Sequence, residues 1–153
     1  CRQAVYASSY EDACKTNSRY FGKKLSRQTW NICSKIREVD QLLCSDASLQ
    51  EQVYESHPEL AFYLLSPDGP HHSKKTRDGI AERLNILASY YEPVHEYYDL
   101  ALRKYPRKLV ARDDVVDAMI LMVLGSVDQT VLADSSGKDE QGLKIRMALP
   151  KTH

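Results

Sequence analysis

The sequence predicts a helix-rich α/β chain with few strands, read as the later portion of a larger α/β domain. Three observations carry that expectation. Five or six segments show helical periodicity or helix-boundary residues, only two short stretches read as strands, and the chain begins at Cys1 rather than Met. Two short strands cannot form the sheet that so many helices would cover, because a stable sheet needs several paired strands. The alternative is an essentially all-helical protein. The 153 residues fit one domain or a large part of one.

Each element has a local reason. A first helix is expected from Ser9 to about Tyr20, ending near Gly22. Ser26 is a candidate N-cap for a second, whose apolar residues Ile32, Ile36, Val39 and Leu43 recur at helical spacing. Residues 52–56 read as a short strand, and Pro58 then suits the first turn of a helix through Leu65. Ser66 to His72 holds two prolines and a glycine and reads as a loop. Thr76 can cap a helix with the stripe Ile80, Leu84, Leu87 and Tyr91, and another starts near Pro93 with Val94, Tyr98, Ala101 and Tyr105. Pro106 stops it. Asp113 and Asp114 introduce a helix through Leu124 that is apolar on nearly every side, the pattern of a central buried helix. Residues 134–142 read as a polar loop and Lys144 to Leu149 as a final strand.

Composition excludes several classes. The chain is 42% hydrophobic and 27% charged with six Gly and six Pro, which excludes collagen-like and largely disordered proteins. Lys plus Arg and Asp plus Glu each number 21, so bulk charge argues against a generic polyanion or membrane-surface binder. The longest apolar run, Ala118 to Leu124, is far shorter than the ~20 residues that span a bilayer. No membrane partner is expected, and no signal peptide is read at the start. Cys1, Cys14, Cys33 and Cys44 form no C-x-x-C pair. They read as the reduced thiols of a cytoplasmic protein.

Charge is arranged locally in ways the zero sum hides. Glu55 ends the first strand just before a helix begun by His57-Pro58-Glu59, and strand-to-helix junctions are where α/β folds place sites. The plain alternative is a surface carboxylate beside a helix start, where acidic groups suit the dipole. Asp114 and Asp117 lie three apart, hence on one helix face, with Asp113 at its mouth. Such oxygen ligands, with a strand carboxylate, suit Mg²⁺ or Mn²⁺. Capping accounts for one aspartate but not for Asp117, which enters an apolar helix where an unpaired charge is costly. Arg103, Lys104, Arg107, Lys108 and Arg112 form one basic cluster. Lys74, Lys75 and Arg77 form another at a helix N-terminus, an end that favours anions, with phosphate the leading candidate. Both clusters also admit the reading of a solvated basic face. His71-His72 reads as solvent-exposed and His95 as surface or boundary.

In order along the chain stand Gln28-x-Trp30-x-Ile32-x-x-Lys35-Ile36-x-Glu38-Val39-Asp40, Glu55-x-His57-Pro58-Glu59, Ser73-Lys74-Lys75-Thr76-x-x-Gly79-x-x-x-Arg83, Asp113-Asp114-x-x-Asp117-Ala118 and Asp139-Glu140-x-Gly142-Leu143. This set resembles domain-of-unknown-function family 429, whose members are predicted nucleases of the RNase H-like fold. The resemblance implies an acidic site built from Glu55, Asp113, Asp114 and Asp117, with Glu55, Asp114 and Asp117 as ligands to Mg²⁺ or Mn²⁺. It further implies substrate phosphate contacts from Lys74, Lys75 and Arg83, and places His57 and Glu59 beside the site. Gln28, Trp30, Lys35 and Glu38 match a helix motif for which structural and substrate-contacting roles stay open.

The family's early strand with its Asp, the hairpin strands after it and a later Ile-Asp-x-Pro strand have no counterpart in this sequence. The chain is therefore expected to be the C-terminal portion of an RNase H-like domain, residues 1–153 in one piece, whose sheet a missing N-terminal segment or another chain completes. The expected activity is metal-dependent hydrolysis of nucleic-acid phosphodiesters. Without those strands the chain itself is open to being inactive. The alternative is a non-catalytic domain of the same fold that binds nucleic acid or a protein.

Overall fold

A computed structural model describes residues 1–151, with side chains for 1–133 and 137–151. The chain is mixed α/β and helix-rich, with seven α-helices and a small sheet. It divides into two compact units. One comprises Cys1–Val53 with Asp139–Leu143, the other Tyr54–Lys138 with Lys144–His153.

The first unit holds α1 (Arg2–Val5), α2 (Tyr10–Phe21) and α3 (Arg27–Ser45), followed by a 3₁₀ turn at Leu49–Glu51. Ser9 caps α2 by accepting the Asp12 N–H at 3.1 Å, and Gly22 ends it with φ +68°, a conformation only glycine takes without strain. Ser26 caps α3 by accepting the Thr29 N–H at 2.9 Å. The apolar residues buried in this unit are small: Ala4, Ala13, Cys14 and Cys33. Polar ties supply what the small core does not. Arg2 donates to Asp40 and to Asp139, the Tyr6 hydroxyl donates to Asp40 at 2.7 Å, and the Cys1 ammonium group donates to buried Asn17 at 3.1 Å. Burial alone would raise the Asp139 pKa, but the Arg2 guanidinium and the N–H groups of Gln141 and Leu143 hold it below its usual value.

The expected packing face of α3 is corrected here. Ile32, Ile36 and Val39 were expected to face a core, yet all three are exposed, Ile32 and Val39 by nearly half. The helix buries Cys33 instead. Periodicity identifies an apolar stripe, but not what covers it.

The second unit holds α4 (Pro58–Leu65), α5 (Arg77–Ala88), α6 (Val94–Lys104), α7 (Arg112–Leu124), β1 (Gln129–Lys138) and β2 (Lys144–Pro150). Phe62 from α4, Leu84 and Leu87 from α5, Val94 and Tyr98 from α6, and Val116, Met119, Ile120 and Val123 from α7 form its core. Side chains of this size contribute about 1.5–3 kcal/mol each when fully buried. The central position of α7 follows from its composition, although Leu121 and Met122 stay exposed.

The strands differ from expectation in two places. Residues 52–56 do not form a strand. Only Glu55 makes a single parallel bridge to Met147, its carbonyl accepting the Ala148 N–H at 2.9 Å. Conversely, Gln129–Lys138 is a strand that hydropathy did not announce, because its register with β2 leaves Val131 and Leu132 exposed. β1 and β2 pair antiparallel, from Gln129 opposite Pro150 to Lys138 opposite Lys144, with an irregularity between Ala133 and Lys138. Among the described residues β1 pairs only with β2, so its far edge is open. No helix among them is long and apolar enough to cross a membrane. The four cysteines are free thiols.

Candidate functional site

The loop 72–76 and the first turns of α5 and α7 form the most connected polar arrangement in the second unit. The loop is built by its own motif. Thr76 Oγ1 accepts the Gly79 N–H at 3.1 Å, capping α5, and donates to the Ser73 carbonyl at 2.8 Å. Gly79 is required because a Cβ there would lie 2.0 Å from the Ser73 carbonyl oxygen, far inside van der Waals contact. The loop therefore lies directly on the α5 backbone.

Arg83 completes the anchor. Its guanidinium is 3% exposed and donates to both Glu59 oxygens, at 3.1 and 2.6 Å, and to the carbonyls of His72 and Gly79, each at 2.9 Å. A forked, charge-assisted pair of this kind fixes geometry as well as adding energy. The expectation that Arg83 contacts substrate phosphate is corrected: its guanidinium is committed to tying α4 and the loop to α5. Glu59 is its partner. His57 likewise has a local duty, since its Nδ1 accepts the Leu60 N–H at 3.2 Å as the N-cap of α4.

Glu82 holds the loop from the other side. Its Oε1 accepts the His71 N–H at 2.8 Å and its Oε2 the His72 N–H at 2.9 Å, and both imidazoles face it. These backbone N–H groups first, aided by the imidazoles and against the opposing effect of desolvation, lower the Glu82 pKa to about 2. The two histidines are exposed, as their sequence context indicated, yet they are engaged with this carboxylate.

So anchored, the loop delivers Lys74 and Lys75 to α7. Lys74 Nζ lies 2.6 Å from Asp117 Oδ2, and Lys75 donates to Asp113 Oδ2. Cations at the N-terminus of α5 pointed to an anion, and α7 supplies it. Asp113 and Asp117 are four residues apart and share one helix face. The expected pairing of Asp114 with Asp117 is corrected accordingly. Asp114 is exposed and turns back to accept the Ala111 N–H at 3.3 Å, closing the first turn of α7. Capping thus takes one aspartate and the lysines take the other two.

The electrostatics follow. Burial would raise the Asp113 pKa, but the Lys75 hydrogen bond, its own backbone N–H and the charge of Lys74 outweigh that and hold it below the usual carboxylate value. The same bond raises the Lys75 pKa. Asp117 Oδ1 is buried and has no hydrogen-bond partner. A buried acceptor left open in this way fits a cation or a donor that takes oxygen.

That open oxygen bears on the expected Mg²⁺ or Mn²⁺. Asp113 and Asp117 provide hard oxygen donors suited to either ion. Among the described residues, however, no three His, Cys, Asp or Glu side chains gather into a group that could hold a metal. The chain thus presents two ligands of a site rather than a full set. Glu55 is exposed, with its backbone in the bridge to Met147.

Five further cations, Arg103, Lys104, Arg107, Lys108 and Arg112, are all exposed at the end of α6 and the start of α7. Among the described residues none of them forms an ion pair with a carboxylate. Sequence reasoning placed Glu82 in no site. Its signal is the i, i+3, i+4 relation to Gly79 and Ile80 on the helix that carries the loop, which spacing alone does not connect to His71 and His72.

No curated protein and no solved structure matches the chain. A family model described as "Protein of unknown function (DUF429)" matches residues 1–149, nearly the whole length, and so takes in the loop, its clamp and the α7 aspartates alike. The chain belongs to the DUF429 family.

Proposed function

We propose that this chain is the helix-rich C-terminal portion of an RNase H-like domain that hydrolyses nucleic-acid phosphodiesters with Mg²⁺ or Mn²⁺. The observation that carries the reading is the Asp113 and Asp117 pair on one face of α7. Both carboxylates are held against cations, and one buried oxygen is still open. A divalent ion supplies charge stabilisation at a phosphoryl oxygen when bound. Asp113 and Asp117 orient toward it, Asp114 keeps the first turn of α7 closed, and Glu55 contributes a further carboxylate. Lys74 and Lys75 neutralise phosphate, and the exposed 103–112 cluster tracks the backbone of the polymer.

The open edge of β1 and the exposed stripe Ile32, Ile36 and Val39 support completion of the sheet by an N-terminal segment or another chain. Free thiols at all four cysteines suit a cytoplasmic location. The test is cleavage of single- and double-stranded DNA and RNA with Mg²⁺ or Mn²⁺, by this chain alone and extended by its N-terminal segment. Activity unchanged in both Asp117→Asn and Glu55→Gln would sink the assignment.

A second reading is favoured by the absence of a three-ligand group among the described residues. In it the domain binds nucleic acid through Arg103 to Arg112 without cleaving it. Affinity would then fall steeply with salt, with no dependence on divalent ions.

A further inference from the structure

Lys74 and Lys75 occupy the positions from which a cation would meet the α7 aspartates. We propose that they are exchangeable counter-ions: a divalent cation binds Asp113 and Asp117 only by displacing both ammonium groups, and the displaced lysines then face the phosphate that the cation attracts. The inference rests on the reading of the acidic pair as a metal-binding site and adds how that site is kept closed.

Four observations carry it. The exchange conserves charge, since two ammonium groups leave two carboxylates and one divalent ion replaces them. No stage then requires an unneutralised buried pair, which would be costly. Burial is also unequal across the contact. The side chain of Asp113 is 9% exposed and fixed on a helix, whereas that of Lys75 is 69% exposed and has solvent to swing into. Lys74 satisfies only Oδ2 of Asp117, leaving Oδ1 buried and open, whereas an ion that takes several oxygen ligands can engage it.

Finally, the loop does not depend on the lysines for its shape. Thr76 holds Ser73, Glu82 holds the N–H groups of His71 and His72, and Arg83 holds the His72 carbonyl. Release of the two side chains therefore leaves the loop seated, with two cations on flexible stems beside α7. A purely structural pair of salt bridges has no such consequence. It predicts that removing the lysines loosens the loop and does nothing useful for a metal ion.

The experiment is calorimetric titration with Mn²⁺ alone, without nucleic acid. The proteins are the 153-residue chain, Lys74→Met with Lys75→Met, Lys74→Arg with Lys75→Arg, and Arg107→Gln with Lys108→Met. The last removes the same charge away from the aspartates. The methionine pair is expected to bind Mn²⁺ at least tenfold more tightly than the unaltered chain. The arginine pair should bind no more tightly, and the distant charge control should change affinity by less than twofold. Each single lysine-to-methionine change should give an intermediate affinity, and these serve if the double variant does not fold. Equal or weaker binding by the methionine variants overturns the proposal, as does equal tightening in the distant control or no Mn²⁺ binding by any of the proteins. Cleavage assays judge the nuclease reading separately. Exchange can hold in a chain that cleaves nothing, and metal-dependent cleavage with an unchanged Mn²⁺ affinity would sink exchange alone.

Discussion

Lys74 Nζ sits 2.6 Å from Asp117 Oδ2 across 43 residues of chain, joining the loop before α5 to the second turn of α7. This contact explains why an aspartate stands in the most apolar helix of the protein. Its charge is neutralised by a side chain that a separate motif positions. The contact is partly buried, 29% exposed on the lysine side and 21% on the aspartate, so it lies between the weak surface pair and the costly interior pair. Asp117→Asn is expected to lower stability by about 1–2 kcal/mol, mainly through the lysine left without its partner. Urea unfolding measures this, and a loss under about 0.3 kcal/mol would show that the contact is not maintained in solution.

Gly79→Ala has a diagnostic sign. Alanine in an ordinary helix interior stabilises by about 0.5–1 kcal/mol relative to glycine. Here the new Cβ would meet the Ser73 carbonyl oxygen at 2.0 Å, and backbone cannot swing aside as a side chain can. The expected outcome is destabilisation by about 1–3 kcal/mol, the usual range for overpacking. Faster amide exchange in the 72–76 loop should accompany it. A stabilised variant would refute the close seating of the loop on α5.

Arg83→Leu removes a buried guanidinium that serves four acceptor atoms. Breaking a fully buried ion pair costs about 3–5 kcal/mol, and the 38% exposure of Glu59 reduces that here to about 2–3 kcal/mol. Lysine at this position should recover little, because it cannot fork to Glu59 and two carbonyls at once. Thermal unfolding of the leucine and lysine variants checks both statements. Full rescue by lysine would mean that charge alone, and not the fork, matters.

Acid sensitivity should be traceable to Glu82. Its folded pKa is about 2, depressed from 4.5 by the N–H groups of His71 and His72. A depressed carboxylate contributes stability that is fully present above its unfolded pKa and is lost as pH falls toward the folded one. The contribution should therefore be complete above pH 4.5 and disappear as pH falls toward about 2. Glu82→Gln should flatten the stability profile within that window relative to the unaltered chain, as read by denaturant midpoints at stepped pH. Identical slopes for the two proteins would show that Glu82 does not hold the loop. Asp113, whose pKa is also held down, contributes in the same direction.

The exposed stripe of α3 makes the opposite kind of prediction. Ile36 is 40% exposed, so Ile36→Ser should cost under about 0.5 kcal/mol in the isolated chain. In a longer protein whose added segment covers α3, the same change should cost several times more. Equal small effects in both proteins would mean that nothing packs on this face.

The amino-acid sequence by itself determined the local structure. Ser9, Ser26 and Thr76 are N-caps in the structure as their side chains require, Pro58 opens α4, and Gly22 closes α2. The near-uniform hydrophobicity of residues 115–124 determined that α7 would be central. These features depend on a few neighbouring residues, so a linear reading reaches them. It also brought out the motif residues that carry the site, but not their division of labour.

Only the tertiary structure decided that Asp113 pairs with Lys75 and Asp117 with Lys74, that Asp114 closes a helix turn, and that Arg83 clamps the fold rather than facing outward. It also decided that residues 52–56 contribute one bridge and not a strand, and that the α3 stripe is left uncovered. The physical reason is common to all of these. A carboxylate or guanidinium has the same local signature whether it meets solvent, metal or another side chain, and its role is set by the charge brought to it across the fold.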